Sequence, residues 1–207
     1  MSELSTTNAP AGIGHSQDET SMGVDSRKLG LWAFIGSETL FFAALIVTYL
    51  IFKPVNEGRP ENQLPHEFLG INFTAVLAAI LLASSLTMVL SIAAIRRDDQ
   101  KLFRIWLAAT IGLGLCFLGG QVYEFTHLYG EGLTLGSSLL GTTFFVLTGF
   151  HGTHVAIGVV WLSMILWRGL RRGYSSHDHM DVEMGGMYWH FVDLVWVAVF
   201  TLIYLLP

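Results

Sequence analysis

Residues 69–95 read LGINFTAVLAAILLASSLTMVLSIAAI, an apolar stretch that contains no Asp, Glu, Lys, Arg or His. A membrane hydrocarbon core about 30 Å thick is crossed by a helix of about 20 apolar residues, so this stretch is long enough to span it. Similar runs follow and precede it, and the helices predicted in this way cover residues 30–52, 69–95, 102–128, 137–167 and 185–206. The sequence therefore predicts an all-α integral membrane bundle of five transmembrane helices.

The composition agrees with a membrane domain. Of the 207 residues 52% are hydrophobic and 13% are charged, with a mean hydropathy of +0.54, which is more apolar than ordinary soluble domains. No run of Lys or Arg resembles a nucleic-acid surface, so we expect no nucleic-acid partner. Cys116 is the only cysteine, which excludes an internal disulfide, a thiolate zinc site and an iron–sulfur cluster. Residues 1–28 are polar and lack signal-peptide features, which predicts a disordered tail before a membrane domain at 29–207.

Basic residues predict the orientation of the bundle. Transmembrane proteins carry an excess of Lys and Arg on the cytoplasmic side. With five spans, Lys53 and Arg59 fall on one side of the membrane and all the other basic residues fall on the N-terminal side: Arg27, Lys28, Arg96, Arg97, Lys101, Arg104, Arg168, Arg171 and Arg172. The sequence therefore predicts an N-in, C-out topology.

Several ionisable residues fall inside the predicted spans, where they are costly and usually mark function or a packed polar contact. They are Glu38, Glu124, His127, His151, His154, His190 and Asp193. At a rise of about 1.5 Å per residue, Glu38 and His190 lie about 12 Å and 8 Å from the inner ends of their helices. This similar depth suggests that Glu38 bonds within the bundle to a partner such as His190. The contact could serve a proton or lipid site, transmit a conformational change, or only join two helices.

The histidines raise the possibility of a metal site. His151 and His154 share one face of a helix, and Glu124 with His127 has the spacing of a di-iron ligand motif. A di-iron centre needs that motif twice with two further carboxylates, so the ligand inventory is too small and residues 149–154 are interpreted as a close-packed polar seam. We predict no metal or cofactor in this chain. The spans also lack a nucleophile with an adjacent base and a phosphate loop, so catalysis by this chain alone is not expected.

Four strings resemble subunit III of the haem–copper oxidases, in that family's order and on its helices. They are GSETLFF at 36–42, QVYEF at 121–125, GTTFFVLTGFHGTHV at 141–155 and YWHFVDLVW at 188–196. The resemblance implies a subunit of a respiratory terminal oxidase in a bacterial plasma membrane, whose haem and copper lie in subunits I and II. It also implies direct packing on subunit I, contact with subunit II and possible association with other respiratory complexes. In that family subunit III carries no redox centre. It supports proton uptake, protects the active site during turnover and binds phospholipid.

The resemblance also assigns individual positions. Glu38 matches the family's buried carboxyl that reacts with carbodiimides, and five others match its intramembrane polar or lipid-adjacent positions: Glu124, His151, His154, His190 and Asp193. The chain has no counterpart of the first two helices of the seven-helix form, which build one wall of the lipid cleft. The string GFHG at 149–152 favours the branch that takes electrons from cytochrome c, since the quinol branch tends to carry GTHG. Subunit III of a quinol oxidase and an accessory protein of a nitric oxide reductase are the alternatives.

Overall fold

The chain forms five long helices. A computed structural model describes residues 25–56, 71–130, 132, 136, 139–175 and 179–205. Its helices are α1 (Ser26–Asn56), α2 (Ile71–Arg96), α3 (Gln100–Gly130), α4 (Leu139–Arg171) and α5 (Met180–Phe200), the last continued by a π-helical turn (Thr201–Leu205). Each of the five is long and apolar enough to cross a membrane, which confirms the predicted all-α bundle. The tail predicted at 1–28 falls largely outside the described residues, although Ser26 already belongs to α1.

Every helix extends beyond at least one of its predicted ends, and three of them do so by four or five residues. α1 begins at Ser26 rather than at 30, α4 ends at Arg171 rather than at 167, and α5 begins at Met180 rather than at 185. The added turns carry charged side chains, which a search for apolar runs excludes. A helix continues through such turns because its backbone hydrogen bonds do not depend on polarity, while the charges reach the membrane surface.

Four of the helices surround a common core, and α1 lies at its edge and contributes Phe42 and Tyr49 to it. α2 packs on α3 and α5, and α4 packs on the same two helices. α1 packs on α4 and α5 and is the least buried of the five, whereas α5 is the most buried. α2 and α3 are joined by a short turn in which Asp98 adopts a left-handed φ of 57°, and the Asp99 carboxylate accepts a hydrogen bond from Leu102 N (3.0 Å).

Trp189 of α5 fills the centre of the core. Two glycines leave room for its indole ring. A Cβ at Gly114 on α3 would lie 2.7 Å from the ring, and a Cβ at Gly158 on α4 would lie 2.9 Å from it. The ring nitrogen donates to Ser84 Oγ on α2 (2.9 Å). One side chain thus contacts the other three core helices, and small residues permit the close approach on which packing in membranes depends.

Candidate functional site

Glu38 and His154 form an ion pair between α1 and α4. Glu38 Oε2 lies 3.2 Å from His154 Nε2, with 21% and 12% of the respective side chains exposed. His154 Nδ1 lies 2.8 Å from the Phe150 carbonyl oxygen one turn earlier on α4. A carbonyl can only accept, so the proton of this bond belongs to Nδ1. With Nδ1 engaged in this way, Nε2 is the ring nitrogen that faces the Glu38 carboxyl group.

The sequence-based choice of His190 as the partner of Glu38 is wrong. His190 Nδ1 lies 3.1 Å from Ser85 Oγ on α2, and the histidine that meets Glu38 is His154 on α4. Depth along a helix was the basis of the choice, and depth does not determine which face of a helix a residue occupies. Glu38 does contact another helix of the bundle, through His154.

Aromatic rings enclose the Glu38–His154 pair. The Phe42 ring lies 5.1 Å from the His154 ring, and Phe41 contacts Phe150 edge to face at 5.2 Å. The Tyr188 hydroxyl of α5 donates to the His154 carbonyl oxygen (3.1 Å). Glu38 and His154 thus lie in largely apolar surroundings, where an electrostatic contact is stronger than in water.

His151 and His154 are one turn apart and share the Phe42 ring of α1, but their other contacts differ. His151 is fully buried, stacks on Trp196 at 4.8 Å and meets Phe117 edge to face at 5.8 Å, so it lies against α5 and α3. Neither of its ring nitrogens has a hydrogen-bond partner among the described residues. Within those residues no group of three or more His, Cys, Asp and Glu side chains is arranged to hold a metal.

Glu124 belongs to a separate polar cluster at the other end of the core. Its Oε1 accepts hydrogen bonds from Thr74 Oγ1 on α2 (2.9 Å) and from the Tyr204 hydroxyl (3.1 Å). Tyr204 lies in the π-helical turn that ends α5. His127 is exposed and borders Tyr123 at 6.5 Å, so it and the buried Glu124 do not converge as the di-iron spacing would require.

His190 and Asp193 meet at one serine. Besides its contact with His190, Ser85 lies beside the Asp193 carboxyl group, and Asp193 is 6% exposed. The carboxyl oxygen Oδ1 of Asp193 has no hydrogen-bond partner among the described residues. The six predicted site residues therefore lie in four places: the pair of Glu38 and His154, Glu124 with Thr74 and Tyr204, His151 between Phe117 and Trp196, and the cluster of His190 and Asp193 at Ser85.

Glu183, at the start of α5, is a site residue that sequence reasoning missed. It accepts hydrogen bonds from Lys28 Nζ on α1 (2.8 Å) and from an Arg96 guanidinium nitrogen on α2 (2.9 Å), and His179 Nε2 lies at 3.1 Å. Nearby, Asp181 pairs with Arg168. The sequence predicts an excess of basic residues on the N-terminal side of the membrane, and carboxylates at the start of a helix can neutralise such charges. That excess was the signal from which the role of Glu183 could have been inferred.

Two adjoining cavities on α4 were also absent from the sequence-based expectations. One, of about 470 Å³, is lined by Met164, Trp167, Arg168, Arg171 and Arg172. The other, of about 480 Å³, is lined by Thr153, Ala156, Ile157, Val160, Trp161 and Met164. They share Met164 and follow one face of the helix, apolar at one end and basic at the other. The Arg171 guanidinium lies over the Trp167 ring at 4.4 Å, a cation–π contact.

Comparison with known proteins places this geometry in context. A family model described as cytochrome c oxidase subunit III matches residues 12–206. A cytochrome c oxidase subunit 3 of Bacillus subtilis is 36% identical over 192 residues, 92% of this chain and 91% of the relative. One from Synechocystis is 40% identical over 183 residues, 88% of this chain and 76% of the relative. A quinol oxidase subunit 3 of Bacillus spizizenii is 36% identical over 178 residues, 86% of each chain.

Proposed function

The chain belongs to the cytochrome c oxidase subunit III family, the non-catalytic subunit of haem–copper oxidases, and from this premise we propose that it acts entirely through neighbouring subunits of a proton-pumping oxidase. It is a multi-pass protein of a bacterial plasma membrane. The haem and copper belong to subunits I and II, and this chain packs directly on subunit I. Its own contribution is to support proton uptake, lipid binding and the stability of subunit I.

The Glu38–His154 pair is the observation that carries this proposal. It joins the least buried helix to the core through a contact of 3.2 Å between Glu38 Oε2 and His154 Nε2. The Glu38–His154 pair can fix α1 in place. It can also exchange a proton with a neighbouring subunit when a group of that subunit changes its protonation. The remaining polar positions, Glu124, His151, His190 and Asp193, are structural or lie beside lipid.

A phospholipid occupies the two cavities on α4. The apolar cavity takes an acyl chain, and the basic cavity takes the phosphate, which Arg171 and Arg172 can bind through paired N–H groups. From Thr153 to Arg171 the helix rises about 27 Å, a length that suits a headgroup and one extended chain. The predicted N-in orientation puts this basic end at the cytoplasmic surface, where Lys28 and Arg96 also lie beside Glu183.

Cytochrome c is the electron donor favoured by the GFHG string, and quinol is the second candidate. Relatives from both branches match this chain, a quinol oxidase subunit 3 at 36% identity and cytochrome c oxidase subunits 3 at 36% and 40%. Oxidation rates measured on the purified complex with reduced cytochrome c and with a quinol would distinguish the donors.

Purification of the tagged chain from membranes in a mild detergent tests the proposed function. Haem and copper should co-purify with the chain in a fixed ratio, together with the proteins that bind them. A partner complex that contains haem without the copper of subunit II would favour the accessory protein of a nitric oxide reductase. Purification without haem would reject the oxidase assignment for this chain.

A further inference from the structure

His151 lies among aromatic rings where α4 meets α1, α3 and α5. Its ring stacks on Trp196 of α5 at 4.8 Å, meets Phe117 of α3 edge to face at 5.8 Å and lies 6.5 Å from the Phe42 ring of α1. His151 is 0% exposed, and neither of its ring nitrogens has a hydrogen-bond partner among the described residues. The rings therefore hold His151 in place without satisfying its hydrogen bonds.

Two further buried side chains beside His151 also carry polar atoms without a partner. The Trp196 side chain is 1% exposed, and its Nε1 has no partner in the described part of the chain. Gln121 of α3 donates through Nε2 to the carbonyl oxygen of Thr148 on α4 (2.7 Å), one turn before His151. Its Oε1 is also buried and without a partner within the same residues. Four such atoms of three side chains thus lie where α3, α4 and α5 meet.

Hydrogen-bond partners for these atoms have to come from inside the bundle. The atoms have almost no exposed surface, so neither lipid nor a side chain of a neighbouring subunit can reach them. A buried polar atom without a hydrogen bond is costly. In folded proteins nearly all buried polar groups bond to the protein itself or to ordered water.

The four atoms include both donors and acceptors. Trp196 Nε1 can only donate and Gln121 Oε1 can only accept, while a neutral imidazole has one nitrogen of each kind. A cation would suit only the acceptors and an anion only the donors, whereas one water molecule can donate two hydrogen bonds and accept two. Buried waters bond to otherwise unsatisfied polar groups in this way. The chemistry of these side chains therefore suits water rather than an ion.

We propose that His151, Trp196 and Gln121 form a binding site for internal water in the core of the bundle. Water accepts a hydrogen bond from Trp196 Nε1 and donates to Gln121 Oε1. The two nitrogens of an imidazole point away from each other, so at least two water molecules are needed to bond both. Glycine at position 152 belongs to the site, because a Cβ at Gly152 would lie 2.7 Å from Gln121 Oε1 and take the space beside it. This inference concerns the interior of the chain and does not depend on the proposed function.

Radiolytic footprinting of the chain, purified from membranes together with its partners, tests the site. A short X-ray pulse converts water, including water inside a protein, into hydroxyl radicals, and mass spectrometry locates the side chains that they oxidise. Trp189 is the matched control, because it is also 1% exposed but its ring nitrogen bonds to Ser84 Oγ (2.9 Å). Trp196 should be oxidised about 5- to 20-fold faster than Trp189, even with a radical scavenger in the bulk solution. Rates within about twofold of each other, or a difference that the scavenger abolishes, would overturn the proposal.

A substitution of His151 provides a second measurement. His151→Phe keeps a planar ring against Trp196 and removes both polar nitrogens, so the oxidation rate of Trp196 should fall at least about threefold as the site loses water. The matched variant His127→Phe changes an exposed histidine on α3 and should leave that rate unchanged. An unchanged rate in His151→Phe would contradict the inference. If this variant does not fold, the comparison of Trp196 with Trp189 in the unmodified chain still decides the question. Both measurements report on this chain alone, so their failure would leave the proposed function standing.

Discussion

Breaking the contact between Glu38 and His154 should loosen α1, and a double-mutant cycle can measure by how much. Glu38→Leu leaves His154 Nε2 without its partner at 3.2 Å in largely buried surroundings. An unsatisfied buried group costs about 1–3 kcal/mol, so the free energy of unfolding should fall by about that amount. His154→Leu should cost at least as much, because it also removes the ring contact with Phe42 at 5.1 Å, worth about 0.5–1.5 kcal/mol.

The double variant should lose less stability than the two single variants together. Interhelical hydrogen bonds in membranes contribute about 0.6 kcal/mol on average and up to about 1.7 kcal/mol, which sets the expected coupling between Glu38 and His154. Unfolding of the purified chain by a denaturing detergent, followed by far-ultraviolet circular dichroism, gives the four free energies. Strictly additive effects, with a coupling below about 0.3 kcal/mol, would refute the contact.

Glu38→Gln separates the structural role of this residue from its proton chemistry. The amide can still donate a hydrogen bond to His154 Nε2, so stability and assembly should change by less than about 0.5 kcal/mol. It cannot exchange a proton, so proton uptake or the number of turnovers before inactivation should change if the pair has the proposed role. An unchanged turnover lifetime with normal proton uptake would reduce Glu38 to a helix contact.

Three further predictions concern packing, the charged end and lipid. Gly158→Ala should cost about 1–3 kcal/mol, because its Cβ would lie 2.9 Å from Trp189, whereas Gly119→Ala has nothing within 4 Å and should be neutral or stabilising by thermal unfolding. Glu183→Gln should cost about 1 kcal/mol at low salt, since its partners are partly exposed, and less when unfolding is repeated at 1 M salt. Arg171→Ala should lower the phospholipid that co-purifies with the chain, measured by mass spectrometry, while an equal lipid content would contradict the α4 site.

The helices could be predicted because hydrocarbon thickness imposes a minimum apolar length, and residues 69–95 meet it without a single charge. The ends of the helices could not be predicted in this way. The turn that holds Glu183 is polar, and the basic side chains that neutralise Glu183 come from other helices. The π-helical turn of α5 had no recognisable signal in the sequence either. It brings Tyr204 to Glu124, a contact that depends on where α5 ends relative to α3.

The partner of Glu38 shows a second limit of the sequence. Both α4 and α5 offer a histidine within the membrane, and a one-dimensional depth does not say which helix packs beside α1 or which face it presents. α1 contacts both helices, and His154 rather than His190 points to it. The recurring strings identified the family, whereas the pairing of its polar residues required three-dimensional packing.

Gentle removal of this chain from the purified complex, followed by measurement of haem absorbance and copper in each fraction, tests most directly whether the chain acts only through its neighbours. If the chain acts only through its neighbours, the haem absorbance and copper should remain with the other subunits, the separated chain should be colourless, and the depleted oxidase should inactivate after fewer turnovers. A separated chain that keeps a visible chromophore, or an oxidase that loses its haem signal on removal, would contradict the account.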